Sequence, residues 1–146
     1  MLTSAARSGD KVQSGNLRRE CGSVLYAQGK YPQALVHFEE SAKYGRMVGN
    51  PILLVYSPLS QADTLWMLGR YEEAGKIYEE LAGLDLKALG MNGEVMAYVQ
   101  SAVAEMELSR RRFPEAIAKS RQALATLKEV NSRDENLRAR INCNLG

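Results

Sequence analysis

Cysteine and histidine are scarce in this chain of 146 residues, which has two cysteines and one histidine. Cys21 and Cys143 stand far apart and in no CxxC spacing, which argues against a disulfide framework and a zinc site and favours a reducing compartment. His37 has no cysteine, serine or acid placed in the sequence to act with it in acid–base catalysis. We therefore expect no catalytic residue, no metal site and no cofactor, and the chain is not expected to be an enzyme.

Long apolar runs and an excess of one charge are also lacking. No apolar run exceeds the length of ILLVY at residues 52–56, which is far too short to span a bilayer. The opening MLTSAARSGDKVQSGN contains no apolar segment typical of a signal peptide. The formal net charge of +2 is too small to indicate a nucleic-acid or membrane partner. These features predict a soluble, cytoplasmic protein with no membrane partner.

Arginines do gather near two predicted helix ends, and they keep one alternative open. Residues 110–112 are all arginine, and Arg133, Arg138 and Arg140 follow downstream. Acidic residues interrupt these basic ones along the sequence, and the near-neutral net charge dilutes their field. Nucleic acid is therefore disfavoured as a partner, although a role in a nucleic-acid-binding regulator remains the alternative function.

What the sequence does contain is an internal repeat. Three similar segments occur in the sequence: QGKYPQALVHFEES at 28–41, LGRYEEAGKIYEEL at 68–81 and RRRFPEAIAKSRQA at 110–123. Their aromatic residues Tyr31, Tyr71 and Phe113 are 71−31=40 and 113−71=42 residues apart. The same steps of 40 and 42 separate further sets of equivalent residues: Ala34, Ala74 and Ala116; Asp10, Asn50, Asn92 and Asp134; Gly22, Ala62, Ala104 and Gly146.

Each repeat has room for two helices joined by a tight turn. Asp10, Asn50, Asn92 and Asp134 are of the types that cap helix N-termini, and they predict the starts of the first helices. The second helices are predicted to begin after the aromatic residues. Gly29 and Gly69 fall in the turns, where a positive φ is expected. Arg111 takes that place in the third repeat, where it either adopts a strained left-handed conformation or forces another turn shape.

Small residues at two places in each repeat predict close packing of the two helices. We expect the first-helix residues (Gly22, Ala62, Ala104 and Gly146) to meet the second-helix alanines, with the turn aromatic filling the remaining gap. Pro58 does not fit this pattern, because it falls inside the first helix of the second repeat. Either that helix continues with a kink, or Ser57 caps a new helix.

These residues resemble the tetratricopeptide repeat (TPR), which has small residues on helix A, Gly-x-aromatic at the turn, and alanine and an aromatic on helix B. The second repeat fits best, with Ala62, Gly69, Tyr71, Ala74 and Tyr78. The third departs from the pattern with Glu107 and Ser120 at apolar positions and Arg111 at the glycine. The usual repeat has about 34 residues, so the greater length is similar to the extended subgroup of Pins-type adaptors, rapsyn and Rap-type receptors.

The resemblance implies an all-α fold, a right-handed α-solenoid of antiparallel helix pairs (a TPR superhelix). Residues 1–146 would form a single TPR domain fragment. Its predicted parts are the tail of a preceding helix B at 1–9, repeats at 10–49, 50–91 and 92–133, and the start of a fourth repeat at 134–146. Ends that cut through a repeat leave self-association through those ends as an option.

The resemblance also implies a function, a non-catalytic interaction module that binds a peptide or a partner helix in a concave groove. Such a module would act as a scaffold or adaptor within a larger protein. In the family, positions two, five, nine and twelve of helix A face the groove. The matching candidates are Asn16, Arg19, Ser23 and Tyr26 in the first repeat, Tyr56, Leu59, Asp63 and Trp66 in the second, and Tyr98, Ser101, Glu105 and Leu108 in the third.

Overall fold

The computed structural model describes residues 4–146, and its side chains from residue 7 onward. The described residues form seven α-helices and no strand, which confirms the predicted all-α class. The helices are α1 (Ser4–Ala27), α2 (Tyr31–Val48), α3 (Pro51–Met67), α4 (Tyr71–Ala82), α5 (Gly93–Ser109), α6 (Phe113–Glu129) and α7 (Glu135–Asn144).

The described chain divides after Ile77, within α4, into two compact units. In the first unit α2 packs against both α1 and α3, and α1 also contacts α3. In the second unit α6 packs against both α5 and α7, and α5 also contacts α7. The first helices of successive repeats therefore contact each other within each unit, α1 with α3 and α5 with α7.

Helices α1, α3 and α5 end in the same turn, at the three predicted places. Gly29, Gly69 and Arg111 have φ of 74°, 76° and 60°. The N–H of Gly29 donates to the Tyr26 carbonyl and the N–H of Lys30 to the Leu25 carbonyl, both at 2.9 Å. The equivalent two bonds recur after Trp66 and after Leu108. This is the Schellman pattern, which favours glycine at the left-handed residue, so the strained alternative for Arg111 is the one observed.

Three of the four predicted N-caps are confirmed. The side chains of Asn50, Asn92 and Asp134 accept bonds from backbone N–H groups three residues later, at 3.0, 3.0 and 2.9 Å. The prediction that Asp10 caps a helix is wrong, because α1 begins at Ser4 and continues through Asp10. Residues 4–9 thus belong to the same helix as the first repeat. The connector before Asn50 is broken by Gly49 in the left-handed region, whereas Gly9 has no such backbone conformation.

The small residues permit close packing, as predicted. Ala34 and Ala62 are fully buried, and a Cβ on Gly22 would lie 2.7 Å from Cε1 of Phe38. Two of the turn aromatics, Tyr71 and Phe113, do not fill the gap between helices, however, since they are 49% and 55% exposed. The gap is filled from further along helix B by Phe38, which is seven residues beyond Tyr31 and therefore lies two turns deeper in the pair.

Buried polar groups join three helices of the first unit. The Ser41 hydroxyl donates to the Gly15 carbonyl at 2.7 Å and lies 2.7 Å from the Ser57 hydroxyl. Because the single Ser41 proton is used on Gly15, Ser57 donates to Ser41. Leu53 of α3 packs nearby, since a Cβ on Gly45 would lie 2.8 Å from Leu53 Cβ. These contacts hold α1, α2 and α3 together through α2.

Helix α3 continues through Pro58 without interruption. Ser57 does not cap a new helix, because it is fully buried and its hydroxyl bonds to Ser41 instead. Pro58 has no N–H, so the Leu54 carbonyl receives no helical bond from it. Gly146 also differs from expectation. It is the last residue of the sequence and lies beyond the end of α7 with φ of 92°.

The core of the second unit compensates for the altered third repeat. A buried cluster joins α5, α6 and α7 through Ala97, Ala123, Leu127, Leu137 and Ile141. Ser120, where the first two repeats have Phe38 and Tyr78, is fully buried and its hydroxyl has no hydrogen-bond partner. Shared packing with α7 therefore supplies apolar burial that the third helix pair lacks on its own.

Candidate functional site

The α1 candidates are Asn16, Arg19, Ser23 and Tyr26, all near one face of the helix. Ser23 is exposed and its hydroxyl donates to the Arg19 carbonyl at 3.0 Å. Tyr26 is partly buried and meets Tyr31 edge to face, with ring centroids 5.1 Å apart. Such edge-to-face contact fixes both rings while leaving part of each in solvent.

The α3 candidates include a second aromatic pair. Trp66 meets Tyr71 edge to face with centroids 4.6 Å apart, 40 residues after the Tyr26–Tyr31 pair. Tyr56, Asp63 and Trp66 are all partly exposed. In each repeat of the first unit, the turn aromatic therefore packs on the groove candidate at position twelve of the helix just before the turn. The turn aromatic also adds exposed aromatic area beside that candidate.

Position five of helix A does not line an open surface in the second and third repeats. Leu59 is buried and Ser101 is completely buried. The prediction that these two residues line the groove is therefore wrong. Arg19 holds the same position in α1, and its Nε is also buried. Position five lies about one turn before position nine on the same side of the helix, so its burial reflects packing against neighbouring helices.

The α5 candidates Tyr98 and Glu105 are brought together by Arg140 of α7. Arg140 forms a forked ion pair with the Glu105 carboxylate, through its Nε and through its second terminal nitrogen at 2.7 Å. The same guanidinium lies over the Tyr98 ring, 4.8 Å from the centroid. Donation to Glu105 raises the pKa of Arg140 above its ordinary value, although burial opposes the rise. Its positive charge is thus fixed against an aromatic face and a carboxylate.

Arg140 is a residue that the sequence reasoning missed as part of this face. It stands 140−98=42 residues after Tyr98, so it occupies position two of the fourth repeat, as Tyr98 does in the third. Extending the repeat step by one would have found it. Leu108, the last α5 candidate, is partly exposed.

A depression of about 440 Å³ lies elsewhere in the second unit. The nearly buried Glu107 carboxylate lines it, together with Glu79, Arg112, Glu115 and Lys119. Glu107 holds the place of Leu65 in the preceding repeat. Its charge is compensated by Arg110 at 3.5 Å and Arg112 at 3.4 Å. A buried carboxylate requires such partners, so these arginines serve the fold.

Four of the six arginines named above are engaged with acidic or carbonyl groups: Arg110, Arg112, Arg138 and Arg140. Arg110 also donates to Glu79 at 2.9 Å, and Arg138 donates to the Ser132 carbonyl at 3.1 Å. Paired arginines present a weaker positive field to a phosphate backbone than unpaired ones do. This arrangement disfavours the nucleic-acid alternative.

Within the described residues, no group of three metal-ligating side chains comes together. None of the helices described here is long and apolar enough to cross a membrane. In comparisons with known proteins, no family model and no curated protein matches the chain.

Proposed function

We propose that this chain is a TPR-type interaction segment without catalytic activity, acting as a cytoplasmic scaffold or adaptor within a larger protein. Its A helices (α1, α3, α5 and α7) bind a peptide or a partner helix along the side that carries positions two, nine and twelve. The finer fold, a right-handed solenoid of antiparallel helix pairs, belongs to the same proposal. The recurring Schellman turns and the contacts between successive A helices within each unit support it.

The observation that carries the proposal is the stacking of Arg140 on Tyr98. These residues share one repeat position and meet across two successive A helices, α5 and α7. Helix-A residues at this position therefore share a face in the second unit, as they do in the family's binding side. Partly exposed aromatic and arginine side chains are also the types that partner anchors favour.

The first unit offers the same chemistry on its own A helices. Tyr26, Tyr56 and Trp66 are partly exposed, and two of them are fixed by edge-to-face contacts. A rigid aromatic loses little conformational entropy when a partner covers it. Preorganised rings thus favour binding over a purely structural role for these residues.

The test is selection of peptides from a random library on the purified chain, followed by measurement of their affinities. The single tryptophan, Trp66, reports binding by its emission when the selected peptide lacks tryptophan. We expect Tyr98→Ala or Tyr56→Ala to weaken binding about tenfold or more, as truncated anchors do. The exposed Val36 of α2 provides the matched control, and Val36→Ala should leave the affinity unchanged.

Two results would contradict the proposal. One is peptide binding that both tyrosine variants leave intact. The other is the absence of any selected peptide combined with tight binding to labelled DNA or RNA that falls steeply as salt is raised. That second result would favour the nucleic-acid-binding regulator instead.

A further inference from the structure

Helix α1 exposes an apolar face at positions that are buried elsewhere in the repeat. Leu17 is 62% exposed and Val24 is 57% exposed. Adding the repeat steps takes Leu17 to Ser57, Val99 and Ile141, all of which are fully buried. The same steps take Val24 to Thr64 and Met106, which are 0% and 1% exposed. The Leu17–Val24 face is therefore exposed on α1, whereas the equivalent positions in the other repeats are buried.

Each compact unit shows which kind of element covers such a face. In the first unit the covering element is helix B of the preceding repeat, α2. Ser41 of α2 meets Ser57 at 2.7 Å, and Gly45 meets Leu53. In the second unit α6 does the same to α7, where Ala123 and Leu127 join Ile141 and Leu137 in one buried cluster. The two interfaces use the same repeat positions, because Ser41 and Gly45 become Ala123 and Leu127 after 82 residues.

We infer that the Leu17–Val24 face of α1 is a docking site for an amphipathic helix with the chemistry of α6. The equivalent of Leu17 in α7 is the aliphatic Ile141, which is buried with Ala123. A helix of the α2 kind fits less well, since its Ser41 oxygen accepts a bond from a serine hydroxyl, and Leu17 offers no such donor. The docking helix therefore carries alanine opposite Leu17 and a larger aliphatic residue one turn further on.

Charge complementarity supports the same occupant. In the α2–α3 interface residue 41 lies opposite residue 57 and residue 45 lies opposite residue 53, so the two helices pack antiparallel. When the same register is applied to an α6-like helix on α1, Ala123 lies opposite Leu17 and Ala116 lies opposite Val24. In this register Lys119 of the docking helix lies opposite Cys21, one residue from Glu20, whose side chain is exposed. An ion pair at the rim would add orientation to the apolar contact.

This surface is distinct from the peptide-binding side proposed above. On α1 the proposed groove residues are Asn16, Arg19, Ser23 and Tyr26. Leu17 and Val24 each follow one of these in sequence, so they lie about 100° further around the helix. Binding at one surface can therefore be lost while binding at the other is kept.

The test uses a peptide of the α6 sequence, FPEAIAKSRQALATLKE, added to the whole chain. A hydrocarbon staple joining the positions of Arg121 and Ala125, both exposed in α6, holds it helical. Affinity is measured by fluorescence anisotropy of the labelled peptide. We expect saturable binding that the double change Leu17→Glu and Val24→Glu weakens about tenfold or more.

Matched controls separate docking at this face from non-specific apolar contact and from binding in the groove. Val36 is as exposed as Val24, so Val36→Glu tests for general loss of apolar surface and should leave the affinity unchanged. Tyr98→Ala should also leave it unchanged, because Tyr98 belongs to the proposed groove. A peptide carrying Ala123→Arg should not bind. Circular dichroism checks that each variant remains helical, and Leu17→Ala gives a milder change should the double variant unfold.

Three outcomes would overturn the inference. The first is no binding of the stapled peptide up to about millimolar concentration. The second is binding that is equal in the wild-type chain and in the Leu17/Val24 variant. The third is self-association of the chain that depends on Leu17 while the peptide does not bind, which would make a second copy the occupant.

Discussion

A Cβ atom placed on Gly22 would lie 2.7 Å from Cε1 of Phe38 and 2.8 Å from Cδ1. The Phe38 ring therefore lies directly against the backbone of α1, and it is almost fully buried there. The closest approach of α1 and α2 depends on the missing side chain at one position and the ring at the other.

Gly22→Ala is expected to destabilise the chain by about 1–3 kcal/mol, because the added methyl group forces the ring or the helix to shift. Gly9 is the matched control, since it lies in the same helix and a Cβ there would meet nothing within 4 Å. Gly9→Ala should instead stabilise slightly through helix propensity. Urea denaturation measures both, and equal midpoints for the two variants would show that the close contact does not form.

Arg111→Gly is expected to stabilise the chain by about 1–2 kcal/mol. Arg111 adopts φ of 60° at the Schellman position, a conformation that costs a non-glycine residue about that much. Gly29 holds the equivalent position with φ of 74°, so Gly29→Ala should produce a loss of similar size. Thermal unfolding of the two variants would contradict the assigned strain if Arg111→Gly lowered the melting temperature.

Ser41→Ala is expected to cost about 1–3 kcal/mol, more than Ser57→Ala. Ser41 both donates to Gly15 and accepts from Ser57, so its removal leaves the buried Ser57 hydroxyl without its acceptor. Removing Ser57 leaves the bond from Ser41 to Gly15 in place. Free energies of unfolding from denaturant titrations rank the two, and a larger loss for Ser57→Ala would reverse the assigned donor and acceptor roles.

Pro58→Ala is expected to raise stability by up to about 3 kcal/mol, because it restores an N–H that can bond to the Leu54 carbonyl. Pro51 is the control. It lies at the first position of α3, where the missing N–H has no intrahelical acceptor, and Pro51→Ala should change little. We also expect Pro58→Ala to alter peptide affinity, since Pro58 lies two residues after Tyr56 of the proposed binding side. Unchanged stability and affinity together would show that the proline is merely tolerated.

The repeat spacing predicted most helix ends because local chemistry decides them. Asn50, Asn92 and Asp134 cap through their own side chains, and Gly29 and Gly69 supply a conformation that other residues resist. Asp10 shows the limit of such reasoning. The same residue type is helical there, because no left-handed glycine precedes it to end the upstream segment.

Positions that depend on neighbouring helices were less predictable. The burial of Leu59 and Ser101 depends on which neighbouring helices pack along helix A, and sequence spacing does not specify those contacts. Ring placement was another such case, since Phe38 fills the α1–α2 gap, whereas the prediction gave that role to the turn aromatics. Arg140 could have been found from the repeat step, but its ion pair with Glu105 joins residues 35 positions apart and has no sequence signal.

The most direct measurement of the proposed binding side is an NMR titration of the isotope-labelled chain with a selected peptide. We predict that the largest and saturable amide and side-chain shifts occur on the A helices, at Tyr26, Tyr56, Trp66, Tyr98 and Arg140. Exposed residues of α2 and α6, such as Val36 and Lys128, should shift little. Saturable shifts confined to α2, α4 and α6, with the A-helix residues unmoved, would contradict the assignment of the binding side.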